Sequence, residues 1–217
     1  KPGSVVLDVG ANIGALTLPL SEAVGVHGLV YAFEPQRLMW QMLVGNLALN
    51  STLNVRALHC AVGDAQTVVQ VPVQPQGTQQ NFGAVSLVEN NNNLQTEPVP
   101  MLLLDGFIQP IENGGRTVSL IKVDVEGMEY DVLNGARKLI EKHRPILYVE
   151  ADRPLRRNAL NGLLHAMRYD VYPHEPPLFN DENYDGNNTN VFGTCRSYNF
   201  FCIPSESDIP RPEASDA

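Results

Sequence analysis

The 217-residue sequence predicts an α/β fold built around one mostly parallel sheet. Three observations predict it. Short apolar runs typical of buried strands alternate with longer segments in which apolar residues recur at helical spacing. The first apolar run passes directly into a glycine-containing turn at residues 10–14, and acidic residues follow several later runs. Open α/β sheets bind ligands at the carboxyl ends of their strands, so the turn and the acids predict a binding site there.

The first part of the chain predicts alternating strands and helices, which is one half of a doubly wound sheet. Pro19 disturbs the first helix locally, because a proline inside a helix removes a hydrogen bond. Asn50 and Ser51 end the second helix. We expect strands over residues 5–9, 29–33 and 55–62, and helices over residues 14–24 and 36–49.

The pattern changes after the third strand. Residues 74–98 are rich in Gln, Asn and Gly and predict a long loop or flap with one short strand at 84–88. Residues 173–194 lack periodicity and predict a second long loop. The other expected elements are strands over 67–73, 99–104, 118–125, 145–150, 169–172 and 198–203, and helices over 128–142 and 155–167. We expect a single domain over residues 1–204 and a polar tail over 205–217.

Composition and charge exclude several function classes. The formal net charge of −9 is unfavourable for binding nucleic acid or anionic lipid, because both require basic protein surface. No apolar run is long enough to span a bilayer, so we expect neither a nucleic-acid nor a membrane partner. The three cysteines cannot all pair with one another and are expected to be buried, reduced thiols in a cytoplasmic protein. The chain begins without Met, so we expect that some sequence preceded Lys1.

The turn after the first strand has the pattern D-x-G-x-N-x-G, formed by Asp8, Gly10, Asn12 and Gly14. A dinucleotide fingerprint would require a glycine in place of Asn12, since that glycine lets a pyrophosphate approach the backbone. The pattern instead suits a ligand without a pyrophosphate, whose amino-acid portion lies along the turn. The alternative is a plain tight turn that joins the strand to the helix.

Two further strand ends carry candidate ligand contacts. Glu34 precedes Pro35 at the end of the second strand, where an acid can accept hydrogen bonds from both hydroxyls of a ribose. The alternative is an ordinary exposed glutamate before a proline. Ala61 and Val62 end the third expected strand, and small apolar residues there can pack on an adenine ring. The alternative for this stretch is a simple turn.

Charged residues alternate at the end of the central strand. Lys122, Asp124 and Glu126 would share one face of an extended strand, since alternate residues point the same way. Such charges are costly in a core without a compensating role, so they predict a site or, alternatively, a structural cluster. Glu150 ends the next strand and is a candidate base or substrate contact, unless it pairs with Arg153 or another nearby basic residue. No His or Cys pair has metal-ligand spacing, so we expect no metal.

These residues resemble a known family, the FkbM-type S-adenosylmethionine-dependent methyltransferases. Residues 7–14 are similar to the first motif of that family. Residues 120–129, followed by 132–136, are similar to its most distinctive block, and Leu104-Asp105 matches the acid that precedes this block. Residues 81–87 are similar to a loop that the family places over the cofactor. The resemblance covers residues 4–151 and extends more loosely through 177–180 and 198–202.

The resemblance implies a Rossmann-like class I methyltransferase fold. This fold has a mostly parallel seven-stranded sheet with an antiparallel last strand, here residues 198–203, and the extra strands or flap would be inserted at about residues 67–104. The resemblance also implies S-adenosylmethionine as the cofactor and methyl transfer, most often to a hydroxyl oxygen. We expect the acceptor to be a small molecule or a glycan.

Carried over position by position, the resemblance also implies a role for each candidate residue. Asp124 would lie beside the cofactor's amino group or the acceptor. Independently of the resemblance, methyl transfer to a hydroxyl calls for a carboxylate near the methyl group that takes the hydroxyl proton. The candidates for this base are, in order, Asp124, Glu126 and Glu150, and Lys122 would orient them or lower their charge density. The residues implied in cofactor binding are Asp8, Gly10, Ala11, Asn12, Gly14, Glu34, Pro35, Ala61, Val62 and Asp124.

Three other functions stay open at this point. N-methyl transfer can use the same fold and the same cofactor. A nicotinamide-dependent oxidoreductase would suit Glu34 but not Asn12, because the second glycine of its fingerprint is missing. A non-catalytic module could use the fold as a scaffold for a partner, since a fold alone does not establish activity.

Overall fold

The computed structural model describes residues 1–73, 95–183 and 186–212. The strands are β1 (Val5–Val9), β2 (Leu29–Phe33), β3 (Val55–Leu58), β4 (Ala61–Val62), β5 (Thr67–Pro72), β6 (Thr96–Leu102), β7 (Val118–Val123), β8 (Ile146–Glu150), β9 (Tyr169–His174) and β10 (Asn199–Pro204). The helices are α1 (Thr17–Val24), α2 (Arg37–Leu49), α3 (Ile108–Asn113), α4 (Glu129–Asn134), α5 (Arg137–His143) and α6 (Pro154–Ala166), with a 3-10 helix over Leu104–Phe107.

Seven strands form the main sheet in the order β3-β2-β1-β7-β8-β10-β9. Neighbouring strands from β3 to β8 run parallel, whereas β10 is antiparallel to both β8 and β9. All five residues of the interior strand β1 are buried, as expected for a strand covered on both faces. The expected α/β fold, with a mostly parallel sheet and an antiparallel last strand, is confirmed.

A second, three-stranded sheet has the order β4-β6-β5, with β6 parallel to β4 and antiparallel to β5. It confirms the expectation of extra strands inserted near residues 67–104. The expected third strand over 55–62 is wrong in one respect, because the chain turns at Cys60, whose N–H donates to the Leu58 carbonyl (3.1 Å). That turn places β3 in the main sheet and β4 in the small one. The expected short strand at 84–88 and the loop at 81–87 lie outside the described residues.

Two helical expectations need correction. The single helix expected over 128–142 is two helices, α4 and α5, because the chain breaks at Gly135, a poor helix former. The short helix α3 was not expected, since its six residues include Pro110 and are too few to display helical periodicity. Pro110 falls in the first turn of α3, where a missing N–H costs no helical hydrogen bond.

Helices cover the sheet from both sides and divide the core into two clusters. On one face, Leu139 and Ile140 of α5 and Leu164 of α6 pack against buried strand residues such as Leu147. On the other face, α1 and α2 cover β1 and β2 through residues such as Leu43. None of the helices in the described ranges is long and apolar enough to cross a membrane. All three cysteines are unpaired. Cys60 and Cys202 are buried as expected, whereas the expectation of burial is wrong for Cys195, which is exposed.

Candidate active site

The glycine turn holds three strand ends together. Gly10 has φ +79°, and a Cβ atom at this position would lie 1.8 Å from the carbonyl oxygen of Asp124, so only glycine fits. The N–H groups of Gly10 and Ala11 both donate to the carbonyl of Phe33 at the end of β2 (3.0 Å each). Asn12 also has a left-handed backbone (φ +50°), which asparagine tolerates better than most residues. The backbone of the turn is therefore fixed against both β2 and the end of β7.

A buried ion pair lies behind this turn. Asp8 is fully buried, accepts a hydrogen bond from the Thr17 hydroxyl (2.6 Å) and lies 3.3 Å from the Lys122 ammonium. Lys122 Nζ also donates to the Gly10 carbonyl (2.7 Å) and lies 3.4 Å from an Asp124 carboxylate oxygen. Burial favours the neutral form of Lys122, but the charges of Asp8 and Asp124 outweigh it and raise its pKa. Lys122 thus stays protonated and connects β1, β7 and the turn.

Glu34 is buried at the end of β2, with 3% of its surface exposed. Its carboxylate accepts backbone hydrogen bonds from Asn12 and Gln36, each at 2.8 Å. Burial raises the pKa of Glu34, while the two backbone hydrogen bonds and Lys122 oppose the shift. Each carboxylate oxygen can accept a further hydrogen bond, so Glu34 can still bind a hydroxyl pair.

One cavity of about 330 Å³ joins these strand ends. Among the residues expected at the site, its wall contains Gly10, Asn12, Glu34, Pro35, Ala61, Val62, Asp124, Glu126 and Glu150. Four of the expected site residues are not on the wall, namely Asp8, Ala11, Gly14 and Lys122. Of these, Asp8 and Lys122 support the wall from behind. The wall residues not anticipated at the site are Val9, Phe33, Gln36, Cys60, Val125, Met128, Leu178 and Ser197.

Three carboxylates face one another at one side of the cavity; we call Asp124, Glu126 and Glu150 the acidic triad. An oxygen of each lies within 4.8 Å of an oxygen of the other two. Strand β7 ends at Val123, so a loop, and not the alternation of an extended strand, positions Asp124 and Glu126. Glu126 has a left-handed backbone with φ +54°, which is uncommon for glutamate.

Burial and the charges of neighbouring carboxylates raise the pKa of two members of the acidic triad, Glu126 and Glu150. Burial, then the charge of Asp124, raises the pKa of Glu126, and the nearby Arg153 opposes this. Burial, followed by the charges of Asp124 and Glu126, raises the pKa of Glu150 to about 9. Within the triad, the protonated form is therefore most favoured at Glu150. Arg153 forms an ion pair with Glu126, at 3.5 Å, whereas the sequence left open a pairing of Arg153 with Glu150.

The donor set of the acidic triad would suit a hard cation, because carboxylate oxygens are the ligands preferred by Mg²⁺ and Ca²⁺. Within the described ranges no His or Cys side chain completes it. The expectation of a site without a metal stays a prediction.

Near the acidic triad lies an aromatic pair, which sequence patterns did not identify. The Tyr148 hydroxyl lies 2.9 Å from His174 Nδ1, and their rings meet edge to face. Burial, then the charge of Asp124, raises the pKa of Tyr148. Strand pairing places His174 in register with Glu150, since both are opposite Asn199 of the intervening strand, and Tyr148 lies two residues before Glu150.

Comparison with known proteins agrees with the fold and with these motifs. A family model described as the methyltransferase FkbM domain matches residues 8–171. Methyltransferase 1 from Beauveria bassiana is 28% identical, over 61% of this chain and 58% of that protein. Methyltransferase sdnD from Sordaria araneosa is 26% identical, over 60% of this chain and 59% of that protein.

A solved structure shares the architecture. The structure of methyltransferase FkbM from Methylobacillus flagellatus superimposes with a TM-score of 0.60 at 19% identity, over 93% of this chain and 44% of that chain. The chain thus spans less than two thirds of the length of each of these three relatives. The family model extends over most of the sequence and includes the glycine turn, Glu34 and the acidic triad. The chain therefore belongs to the methyltransferase FkbM domain family.

Proposed function

We propose that this chain transfers a methyl group from S-adenosylmethionine to a hydroxyl oxygen of a small molecule or glycan. The observation that carries the proposal is the meeting, in one cavity, of Glu34 with the acidic triad. Glu34 suits a ribose, and the triad suits a proton transfer beside a cationic donor. Membership of the FkbM family supports methyl transfer as the reaction class. The proposed catalytic domain is residues 1–204.

The wall residues fit the parts of S-adenosylmethionine. Glu34 retains acceptor capacity for two ribose hydroxyls, and the buried Ala61, Val62 and Phe33 offer an apolar wall to an adenine ring. The turn at Gly10 and Asn12 would lie along the methionine portion. A cavity of this size and mixed polarity falls in the range of small-molecule sites.

S-adenosylmethionine, when bound, supplies an electrophilic methyl group on a positively charged sulfur. The chain then has to align the acceptor oxygen with that methyl group and remove a proton. We assign Asp124 as the base, because it lies on the cavity wall and its carboxylate is 3.4 Å from the Lys122 ammonium. Burial and the neighbouring carboxylates raise the pKa of Glu150, so Glu150 is better suited to donate a hydrogen bond to the acceptor than to remove its proton.

Isothermal titration calorimetry tests the cofactor assignment. We expect S-adenosylmethionine and S-adenosylhomocysteine to bind the wild type, and Glu34→Ala to weaken both by at least about tenfold, because two hydroxyls lose a charged acceptor. A wild-type chain that binds neither ligand would overturn the proposal.

Asp124→Asn separates catalysis from cofactor binding. The variant should still bind S-adenosylhomocysteine, whereas its turnover rate should fall by about a hundredfold or more, which is the usual contribution of a general base. Turnover can be measured without knowing the acceptor class in advance, by following S-adenosylhomocysteine formation with a panel of hydroxylated and amine-bearing compounds. Methyl transfer only to amines would favour N-methylation over the proposed reaction.

A further inference from the structure

The start of α6 has a charge pattern that its own helix does not explain. Arg153, Arg156 and Arg157 lie at its first residues, and the first turn contains no acidic residue. The amino end of a helix carries partial positive charge, so cations there are unfavourable for the helix itself. Arg153, the N-cap residue, also makes no side-chain capping hydrogen bond. The interactions that stabilise these positive charges must therefore come from outside α6.

The three side chains reach the loops that form one half of the cavity. Arg156 donates a hydrogen bond to the carbonyl oxygen of Gly127, and Arg153 forms the ion pair with Glu126. Arg157 donates to the carbonyl oxygen of Ala151 at 2.9 Å. The Arg157 guanidinium also lies over the Tyr198 ring, 3.5 Å from its centre, which is a cation–π contact.

These contacts lead to three segments that contribute to the cavity wall. The loop after β7 supplies Asp124, Val125, Glu126 and Met128, the end of β8 supplies Glu150, and Ser197 precedes Tyr198. The arginines of α6 contact the loop after β7, the residue that follows β8 and the residue that follows Ser197. One helix end therefore supports all three segments.

The loop after β7 also needs an external support. Glu126 and Gly127 both have left-handed backbones, with φ +54° and +106°. A Cβ atom at Gly127 would lie 2.9 Å from Arg153 Nε, so the arginine packs closely against this backbone. A left-handed glutamate costs about 1 kcal/mol and persists only where the surroundings enforce it.

We propose that Arg153, Arg156 and Arg157 form a clamp that positions the acidic triad for binding of the methyl donor. The inference rests on the proposed function. The clamp residues are positioning residues, since they act through the backbone and through Glu126. The charged groups that face Glu126 are Asp124 from the loop after β7, Glu129 from α4, Glu150 from β8 and Arg153 from α6.

The test compares Arg153→Gln and Arg156→Gln with the wild type by calorimetric titration of S-adenosylmethionine and S-adenosylhomocysteine. Removal of a positive charge alone would tighten binding of the cationic donor and leave the neutral product unaffected. Loss of positioning should instead weaken both ligands by about fivefold. The sign of the change for the cationic donor therefore separates a clamp from a simple charge effect.

The pH dependence supplies a second readout. Binding of the cationic donor should strengthen with rising pH as Glu126 and Glu150 ionise, because burial raises the pKa of both carboxyl groups. Without Arg153, Glu126 holds its proton to higher pH, so in Arg153→Gln this rise should move to higher pH. Arg153→Lys retains the charge and should restore the wild-type position.

Arg144→Gln is the matched control. Arg144 pairs with Glu206 and donates to the Met167 and Arg168 carbonyls, but it precedes β8 at the opposite edge of the sheet. This control should lower the melting temperature without changing either dissociation constant.

Unchanged affinities and an unchanged pH profile in both glutamine variants would overturn the clamp. Should Arg156→Gln fail to fold, Arg153→Gln decides, since its ion pair is partly exposed. A wild-type chain that binds neither ligand would overturn the proposed function and the clamp with it. Wild-type binding combined with unaffected variants would overturn the clamp alone.

Discussion

Gly10 is the residue at which the turn, β2 and the loop after β7 come closest together. Its positive φ and its approach to the Asp124 carbonyl make any side chain a source of strain and displacement. We expect Gly10→Ala to lower the free energy of unfolding by about 2 kcal/mol or more.

Gly45→Ala is the control for this prediction. Gly45 lies within α2, and a Cβ atom added there would meet open space, so alanine should stabilise the protein by about 0.5–1 kcal/mol. Denaturant unfolding measures both variants. Equal effects of the two substitutions would contradict the close approach at Gly10.

Glu150 should make the stability of the protein depend on pH. Its pKa of about 9 in the folded chain exceeds the ordinary value of 4.5, so between these values the folded chain holds a proton that the unfolded chain releases. The free energy of unfolding should therefore fall as pH rises through this window. Glu150→Gln, which stays neutral, should flatten the fall. Equal pH slopes for the two proteins in urea titrations would contradict the raised pKa.

The site residues that sequence patterns identified are those placed directly after apolar strands. Gly10, Glu34 and Glu150 were identifiable because the carboxyl ends of parallel strands meet at one edge. Leu178 and Ser197 were not identified as site residues, because a pairing between Pro177 and Arg196 folds the loop back towards the cavity. Such long-range pairing within an aperiodic segment leaves no local pattern.

At the scale of elements, β1 and β7 are joined by a buried ion pair as well as by backbone hydrogen bonds. Asp8 and Lys122 are opposite each other in the register of these strands. Lys122→Met would leave the Asp8 carboxylate buried without its cation, and should cost about 3 kcal/mol or more.

A double-mutant cycle isolates the pair. Asp8→Asn removes the charge that Lys122 neutralises, so Lys122→Met should cost less in that background. Chemical denaturation of the four proteins gives the coupling energy. A cost that is independent of the Asp8 substitution would show that the ion pair does not join the two strands.

The strands of the main sheet were predictable because their buried apolar runs are long and bounded by turns. The strand expected over 55–62 was not resolved into β3 and β4, since both halves are apolar and only the turn at Cys60 separates them. Similarly, apolar periodicity continues from α4 into α5 across Gly135, so the pattern predicted one helix. Tertiary contacts decide these boundaries, whereas periodicity decides the type of element.

At the scale of the whole molecule, the negative net charge and the acidic triad have the same sign. Both attract a cationic donor and act little on its neutral product. Raising the salt concentration should therefore weaken binding of S-adenosylmethionine more than that of S-adenosylhomocysteine, because ions screen charge–charge attraction. Calorimetric titrations of both ligands over a salt series measure this difference. Parallel salt dependences would indicate that the acidic triad does not act on the donor's charge.

Strand β4 belongs to the small sheet, yet its two residues form part of the cavity wall. The proposed cofactor site and the inserted sheet therefore share a structural element. Anything that binds the small sheet and displaces β4 must alter cofactor affinity, and the cofactor must alter that binding by the same factor. A ligand that bound the inserted sheet and moved β4 would therefore be linked thermodynamically to the cofactor site proposed on the main sheet.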